Sequence, residues 1–364
     1  MIDVYHSPLD PFSRTARLLL GEYGETVNFI EERVWDRRHE FLAMNPAGTL
    51  PVMIEDDGPP ICGINAIVAL SVYATLKVGQ FSLAQIGFMA IGAYTSALLT
   101  MPPMMKNTFL PDLPVWLAAA QVPSLAGAFA AGAVAGLVAL VVGWPIMRLS
   151  GIGAAIATMS LLIICYIVLG NWNSLTGGQQ SLMGLPAYVG LWTSGIWAMV
   201  AIFIAYVYQE TRWAIALRAS REDEVAARAS GVRIVRQRLV AFVLSAVVSG
   251  IAGALYGHFL GTLRVETFYL DPTFLFISML VVGGMRSLTG AVVGTIGISL
   301  LTEILRLLEV GVALPGTDMT LSTAPGLGDV ALAAVMLLII LFRPQGITGG
   351  REIGSFIQAR RKRT

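Results

Sequence analysis

The chain has 364 residues, of which 55% are apolar and 13% charged, and its mean hydropathy is +0.72. Soluble domains carry roughly 25% charged residues, so too few polar side chains remain here to cover a water-facing surface. The composition therefore predicts an integral membrane protein. A net charge of +1 provides no excess of basic residues for binding nucleic acid. Cys62 and Cys165 are isolated in the sequence, which argues against a disulfide framework and against a cysteine metal site.

Charge is distributed unevenly along the chain. Residues 1–60 hold 5 basic and 11 acidic side chains, and the sequence becomes strongly apolar from Ile61 onwards. We therefore predict three parts: a polar N-terminal domain at 1–60, a transmembrane domain at 61–346 and a basic cytoplasmic tail at 347–364.

The first sixty residues have the pattern of a small α/β unit. Short apolar runs predict strands at Ile2–Tyr5, Val27–Glu31 and Pro51–Glu55. Helical spacing of apolar residues predicts helices at Phe12–Tyr23 and Arg37–Met44.

This order, with SPLDPFSRTARLLLGEYG followed by NPAGTLPVMIEDDG, resembles the N-terminal thioredoxin-like domain of glutathione S-transferases. The resemblance covers residues 1 to about 62. It implies a cis peptide bond before Pro51, with the backbone of Leu50 and Val52 available to glutathione. It also places Asp10 where cysteine classes of the family carry their nucleophile, and Ser7 and Ser13 as nearby hydroxyls.

Part of that glutathione site is missing from the sequence. The acidic-Ser pair of the family should fall near Gly63 and Ile64, which are apolar, and the helical second domain of the family is absent. We therefore expect a vestigial site at Ser7, Asp10, Leu50, Pro51 and Val52. A natural fusion and a fused reading frame both remain open as its origin.

From Ile61 onwards the chain is a series of apolar stretches broken by Gly, Pro and short polar groups. They lie at Ile61–Thr75, Phe81–Leu99, Val115–Val134, Ala135–Met147, Gly153–Leu169, Gly195–Tyr208, Leu239–Leu260, Phe274–Val282, Ala291–Leu308 and Val330–Phe342. The third and fourth abut and are expected to form one long helix after a surface piece. The predicted fold is thus mainly α, a polytopic transmembrane helical bundle of about eight to nine spans with a small N-terminal α/β thioredoxin-like piece.

Basic residues predict the orientation of the spans. If the loop Gln209–Arg238 is cytoplasmic, alternation places 16 basic residues inside and only Lys106 and Arg264 outside. The same alternation puts residues 1–60 outside, although no signal peptide precedes them. Either a span is missing before Ile61, or Ile61–Thr75 enters the membrane without crossing it.

A charged segment between two spans reads RWAIALRASREDEVAARASGVRIVRQRLVAF. Its Ala226, Ala227 and Gly231 match the spacing of the coupling loop in ABC importer permeases. That loop usually begins with Glu, and this chain has Val225 at the same place. Small residues would allow close seating in a groove of an ATPase, and acids at Glu222, Asp223 and Glu224 favour the start of a short helix. A solvated amphipathic loop is the alternative on spacing alone.

Six blocks extend this resemblance: GQFSLAQIGFMAIGAYTSALL, NWNSLTGG, ALRASREDEVAARASGV, FVLSAVVSGIAGALYGHFLG, VVGGMRSLTGAVVGTIGI and LFRPQGI. Together they resemble the LIV-type permease family of branched-chain amino-acid ABC transporters from about Ile64 to Gly346. The resemblance implies a pore shared with a homologous second permease, two ABC ATPase subunits and a periplasmic substrate-binding protein, in the bacterial inner membrane. The usual first span of the family is expected to be replaced here by residues 1–60.

An internal repeat points to a transport pathway. A pattern of Gly, Ser, Leu, Ile and Gly that begins at Gly79 recurs from Gly284, and Gly-interrupted segments at matching places favour a pathway. The candidate pathway residues are Gly79, Ser82, Gly92, Thr176, Gly177, Gly178, Gly284, Ser287 and Glu303.

Few ionisable residues lie within the apolar stretches. Glu303 and Arg306 are spaced to pair on one helical face, and His258 is interpreted as a satisfied interfacial residue. The sequence contains no Walker A motif, so we expect ATP hydrolysis on partner chains, no enzymatic activity and no cofactor or metal in this chain. The rival hypothesis is a membrane-anchored, glutathione-dependent transferase. The transported solute is left open by the sequence.

Overall fold

The computed structural model of the chain describes residues 2–6, 27–31, 52–54, 61–77, 82–285, 287–310, 312–313, 320–321, 327–343 and 345–349. The chain divides into two compact units. One contains residues 1–58 and 303–328, and the other contains residues 59–302 and 329–364. The predicted domain limits at residues 60 and 346 stay predictions.

The first unit contains a three-stranded sheet of β1 (Ile2–His6), β2 (Val27–Glu31) and β3 (Val52–Ile54). The strand order is β2-β1-β3, with β1 parallel to β2 and antiparallel to β3. A parallel pair requires a crossover connection, as in an α/β unit. The three predicted strands are therefore confirmed, whereas the predicted helices at 12–23 and 37–44 lie outside the described residues.

The second unit is helical, and its longer helices follow the apolar stretches. They are α1 (Ile61–Lys77), α2 (Gln85–Thr100), α5 (Ser124–Ile146), α6 (Ile152–Asn171), α8 (Leu191–Glu210), α11 (Ile234–Leu260), α12 (Leu270–Gly283), α13 (Leu288–Val310, whose last residues belong to the first unit) and α14 (Leu327–Phe342).

Short elements join these helices. They are α3 (Pro103–Phe109), α4 (Val115–Ala118), α7 (Asn173–Thr176), α9 (Arg212–Glu222), α10 (Glu224–Ala229), a 3-10 helix at Val265–Phe268, and the strands β4 (Leu182–Met183) and β5 (Thr262–Leu263). Strands β4 and β5 pair antiparallel, as do β6 (Val312–Ala313) and β7 (Thr320–Leu321) of the first unit. The surface piece expected before the third span is α4, and the long helix that follows it is α5.

Length and hydropathy identify membrane spans among the described helices. Six segments are long and apolar enough to cross a bilayer: α5, α6, α8, α11, α12 with its preceding 3-10 turn, and the first part of α13. The shorter helices α1, α2 and α14 are also apolar. The predicted class, a mainly α polytopic membrane bundle, is confirmed.

Helix α11 is at the centre of the second unit and packs against α1, α2 and α5. Its contacts with α2 are made through glycine. A methyl group added at Gly253 would overlap the carbonyl oxygen of Met89, and one added at Gly92 would overlap the carbonyl oxygen of Gly250. On the other side, a methyl group at Gly250 would lie 2.6 Å from Ala135 Cβ of α5. Small residues thus bring three helix backbones close together, as is usual where lipid supplies no hydrophobic driving force between helices.

A second close approach joins α12, α13 and the segment 345–349. The Ile347 N–H donates to the Val282 carbonyl at 2.8 Å, and the Thr348 hydroxyl donates to the Gly283 carbonyl at 2.8 Å. Gly346 has φ of +74°, and a methyl group there would lie 2.5 Å from the Gly284 backbone. The closing LFRPQGI block therefore ends against the turn between α12 and α13.

The glycine contact between α2 and α11 leads to a stability prediction. We expect Gly253→Ala to lower the melting temperature of the purified protein by roughly 2–5 °C, because relief of the overlap costs about 1–3 kcal/mol. Gly195→Ala is the matched control, since nothing lies within 4 Å of its added methyl group. Thermal melts of both variants in one detergent provide the comparison, and equal melting temperatures would contradict the close packing described here.

Candidate functional site

The polar segment between α8 and α11 folds as two short helices, α9 and α10. Asp223 separates them and caps α10: its carboxylate accepts hydrogen bonds from the N–H groups of Val225 at 2.8 Å and Ala226 at 2.9 Å. A carboxylate at this place satisfies N–H groups that have no partner within the helix and is favoured by the helix dipole. The local sequence thus explains why a helix starts at Glu224.

Helix α10 ends in a Schellman motif built on Gly231. The Val232 N–H donates to the Ala227 carbonyl at 3.1 Å, and the Gly231 N–H donates to the Arg228 carbonyl at 3.0 Å. Gly231 has φ of +82°, a left-handed conformation that favours glycine. Since no atom lies within 4 Å of a methyl group placed at Gly231, this corner faces open space.

Glu224 connects α10 to α11 through two ion pairs. Its carboxylate binds Arg228 one turn later and Arg238 of α11, the latter at 3.2 Å. The hydrogen bond from Arg228, supported by Arg238, holds the pKa of Glu224 below its ordinary value. The carboxylate is therefore charged at neutral pH, and this connection weakens only as the pH falls through that lowered pKa.

Burial separates the two alanines of the predicted coupling segment. Ala227 is buried, whereas Ala226 and Gly231 are exposed and Val225 is 78% exposed. Neighbouring residues on a short helix point in different directions, so only one of the two alanines is presented outward. The outward surface, which we call the small-residue face, consists of Val225, Ala226, Ala229, Ser230 and Gly231. The Glu222 side chain lies outside the described residues.

The first group of candidate pathway residues lies around α2. Gly79 falls outside the described residues. Gly92 packs directly against the backbone of Gly250. Ser82 is buried, and its hydroxyl has no hydrogen-bond partner among the residues that the structure describes. Gly92 therefore has a packing role that does not require a pathway, and Ser82 remains available for one.

The second group forms a tight stop after α6. Thr176 is buried, and its hydroxyl donates to the carbonyls of Leu169 and Trp172. Gly177 and Gly178 follow with φ of +71° and +64°. This geometry accounts for the TGG sequence as a helix-ending turn.

The third group is divided between a turn and a helix. Ser287 is buried, and its hydroxyl accepts the Gly290 N–H at 2.9 Å, which caps α13, while Gly284 has φ of +117°. Glu303 is half-buried in α13 and has an interaction partner, while the Arg306 side chain lies outside the described residues. Two cavities of the described chain, one beside Ser71 and one beside Arg148, are lined by none of the candidate pathway residues.

A buried polar cluster, which we call the Gln85 cluster, was missed in the sequence. The Gln85 side-chain amide donates to Ser245 at 3.0 Å, Ser245 donates to the Ser71 carbonyl at 2.8 Å, and Ser249 donates to the Gln85 carbonyl. These contacts join α1, α2 and α11. A glutamine in an apolar run and serines spaced four apart were the available signal, because polar groups within spans require partners.

His258 is a satisfied buried residue near the end of α11. Its Nδ1 lies 3.0 Å from the Pro186 carbonyl oxygen, which can only accept, so Nδ1 carries the proton. Nε2 of the neutral ring then accepts from Ser96, whose hydroxyl lies 2.9 Å away. The histidine was expected at an interface and is fully buried instead.

Lys106 of α3 is also buried. The sequence did not indicate this, because lysine is usually exposed. The ammonium group of Lys106 donates to the carbonyl of Leu117 in α4 and to that of Ala120 just after α4. Burial lowers the pKa of Lys106. Lys106 thus ties α3 to α4 within the segment that joins α2 to α5.

The vestigial glutathione residues Ser7, Asp10, Leu50 and Pro51 lie outside the described residues. Val52 is in β3, where it pairs with Tyr5 of β1.

A family model described as the permease component of the branched-chain amino acid transport system matches residues 61–341. This is well over half of the chain, and the chain belongs to that family of multi-pass membrane permeases. The LIV-type resemblance seen in the sequence is confirmed.

Curated relatives agree with this assignment. The high-affinity branched-chain amino acid transport system permease protein LivM of Escherichia coli is 28% identical over 319 residues, which cover 78% of this chain and 66% of LivM. The corresponding LivH of Salmonella typhimurium is 30% identical over 207 residues, covering 51% of this chain and 62% of LivH. The chain thus spans slightly less than two thirds of the length of these relatives.

The N-terminal part matches a different family. A model of the glutathione S-transferase N-terminal domain matches residues 11–70, which confirms the second resemblance. FtsZ-localized protein A of Caulobacter vibrioides is 44% identical over 54 residues, covering 14% of this chain and 23% of that protein. No solved structure matches the chain at a significant level.

Proposed function

We propose that the chain is a permease subunit of an ABC importer for branched-chain or related amino acids. The observation that carries the proposal is a short helix, α10, capped at both ends, which presents a small-residue face between two membrane helices. Family membership and the named LivM and LivH relatives support the substrate class.

The geometry around α10 suits a coupling element. Asp223 and Gly231 hold the ends of the helix, and Glu224 attaches it to Arg238 of α11. Because α11 packs backbone to backbone against α2, a displacement of α10 is transmitted to the centre of the bundle. Closure of partner ATPases would then move the spans between inward- and outward-open arrangements.

The remaining subunits follow from this role. A homologous second permease would complete the pore, since relatives of two permease types match this chain. One of two ABC ATPase subunits would seat on the small-residue face and the other on the second permease, and a periplasmic substrate-binding protein would deliver the solute. The assembly would lie in the bacterial inner membrane, and the chain itself would need no cofactor.

The N-terminal domain supports a second candidate function, a membrane-anchored glutathione-dependent transferase. The β1–β3 sheet and the match over residues 11–70 favour it. The apolar residues Gly63 and Ile64, at the place of the acidic-Ser pair, count against it. We therefore propose that this domain is catalytically inactive.

Coupling predicts a selective loss of transport. We expect Ala226→Glu and Gly231→Glu to lower the initial rate of leucine uptake about tenfold or more, because a bulky charge on the small-residue face costs the ATPase contact at least about 1.4 kcal/mol. Uptake is measured in cells that supply the partner subunits, with the membrane level of each variant checked by immunoblot.

Two features separate coupling from folding in this test. Gly231→Asn tolerates the left-handed conformation with a small side chain and should keep most uptake. Ala226 has helical geometry and is exposed, so Ala226→Glu introduces no backbone strain. Full uptake by both Glu variants at normal membrane levels would remove the coupling assignment.

The orientation can be tested with single cysteines in a background lacking Cys62 and Cys165. Asp112→Cys should react with an impermeant maleimide in intact cells, whereas Arg221→Cys should react only after the cells are opened. Both positions are exposed, which makes them suitable probes, whereas Ser220 is buried. The reverse labelling pattern would overturn the orientation.

The transferase alternative has its own measurement. The full chain in detergent should pass through glutathione resin without retention, because the site lacks its acidic-Ser pair. Retention that free glutathione reverses, and that Pro51→Ala abolishes, would instead favour the transferase function.

A further inference from the structure

A groove of about 1140 Å³ runs between α5 and α11. One wall is formed by residues four apart along α5 and just beyond its end, and the other wall is formed by residues of one face of α11. The lining residues used here are Leu140 and Trp144 on α5, Arg148 just after it, and Arg236, Val243 and Val247 on α11. Both walls are apolar within the helices and basic where α5 ends and α11 begins, so the groove is amphiphilic along its length.

Three arginines lie together at the basic end of this groove. Arg148, Arg233 and Arg236 are exposed, and none of them has a carboxylate partner among the residues that the structure describes. Arg228, which also lines the groove, is paired with Glu224. Three guanidinium groups that line one groove, without a described carboxylate partner, provide charge complementarity for a phosphate.

The depth of this end in the membrane is indicated by Trp144. The Arg148 guanidinium lies 5.6 Å from the centre of the Trp144 ring, a cation–π arrangement. Tryptophan and arginine at the end of a span are typical of the headgroup region. The apolar part beyond them, with Leu140 51% exposed, therefore lies at the level of the acyl chains.

We propose that this groove is a binding site for an anionic phospholipid on the cytoplasmic leaflet. Its headgroup phosphate would contact Arg148, Arg233 and Arg236, and an acyl chain would lie along Leu140, Val243 and Val247. A free phosphate would leave the apolar walls unoccupied, and a zwitterionic lipid would bring its own cation to the arginines. Basic pockets between spans on the cytoplasmic side are a known form of lipid recognition.

The site adjoins the coupling segment through Arg228, which belongs to both. An anionic headgroup there would neutralise the positive charges of Arg233 and Arg236, which follow the small-residue face in the chain. The inference rests on the orientation of α5 and α11 and is independent of the transported solute.

The test uses the full chain in nanodiscs of fixed phosphatidylcholine content, with a small fraction of lipid brominated on its acyl chains. Bromine quenches a nearby tryptophan, so Trp144 reports on occupancy. We expect brominated phosphatidylglycerol to quench several times more strongly than brominated phosphatidylcholine at equal fractions. Trp144→Phe should remove most of that difference, which assigns it to the groove.

Arginine variants then test the headgroup contacts. Arg233→Gln and Arg236→Gln should each lower the apparent affinity for phosphatidylglycerol about fivefold, in line with the contribution of a basic residue near an anionic leaflet. Arg221→Gln, an exposed cytoplasmic arginine that does not line the groove, should leave the affinity unchanged. Leu140→Phe, which fills the apolar wall without adding a second tryptophan to the groove, should weaken binding of the lipid but not change the response to salt.

Three results would overturn the proposal. Equal quenching by the two lipids would show that no headgroup is recognised. Displacement of brominated phosphatidylglycerol by millimolar inorganic phosphate would show a free-anion site. Loss of quenching on assembly with a second permease or the ATPases, together with cross-linking from position 140 to that protein, would show a protein interface.

Discussion

Backbone contact between α2 and α11 is the constraint on which the membrane unit depends. Gly92, Gly250 and Gly253 leave no space for a methyl group at this crossing, and Gly250 also contacts α5. Within a bilayer the apolar surfaces of helices gain little by leaving lipid, so close packing of small residues has to supply the association energy. One helix, α11, is in this way held by two neighbours, α2 and α5.

The same helix carries the polar contacts of the interior. The Gln85 cluster joins it to α1 and α2, and His258 joins it to the end of α2 and to the Pro186 carbonyl. Hydrogen bonds in a low-dielectric interior are directional, and they fix the rotation of helices that packing alone would leave adjustable. Glycine contacts determine how near the helices lie, and the serines, glutamine and histidine determine which faces meet.

Helix α11 also starts at the polar segment. Arg238 near its beginning is attached to Glu224 of α10, and Arg236 and Arg233 line the groove beside α5. A single helix therefore connects the small-residue face, the arginines that line the groove and the packed centre of the bundle. In the proposed coupling role, this continuity connects a six-residue surface helix to spans well inside the membrane.

The sequence by itself determined the class of the protein, the place of every long helix that the structure describes and the ends of α10. Hydropathy and capping depend on residues close together in the chain, so Asp223 and Gly231 could be read locally. The pairing of Gln85 with Ser245, 160 residues away, could not be predicted in this way. Nor could the burial of Ala227, Lys106 and Ser220, or the position of Arg148 and Arg236 along one groove, be predicted from the local sequence. Each of these depends on which helices become neighbours, and only tertiary packing decides that.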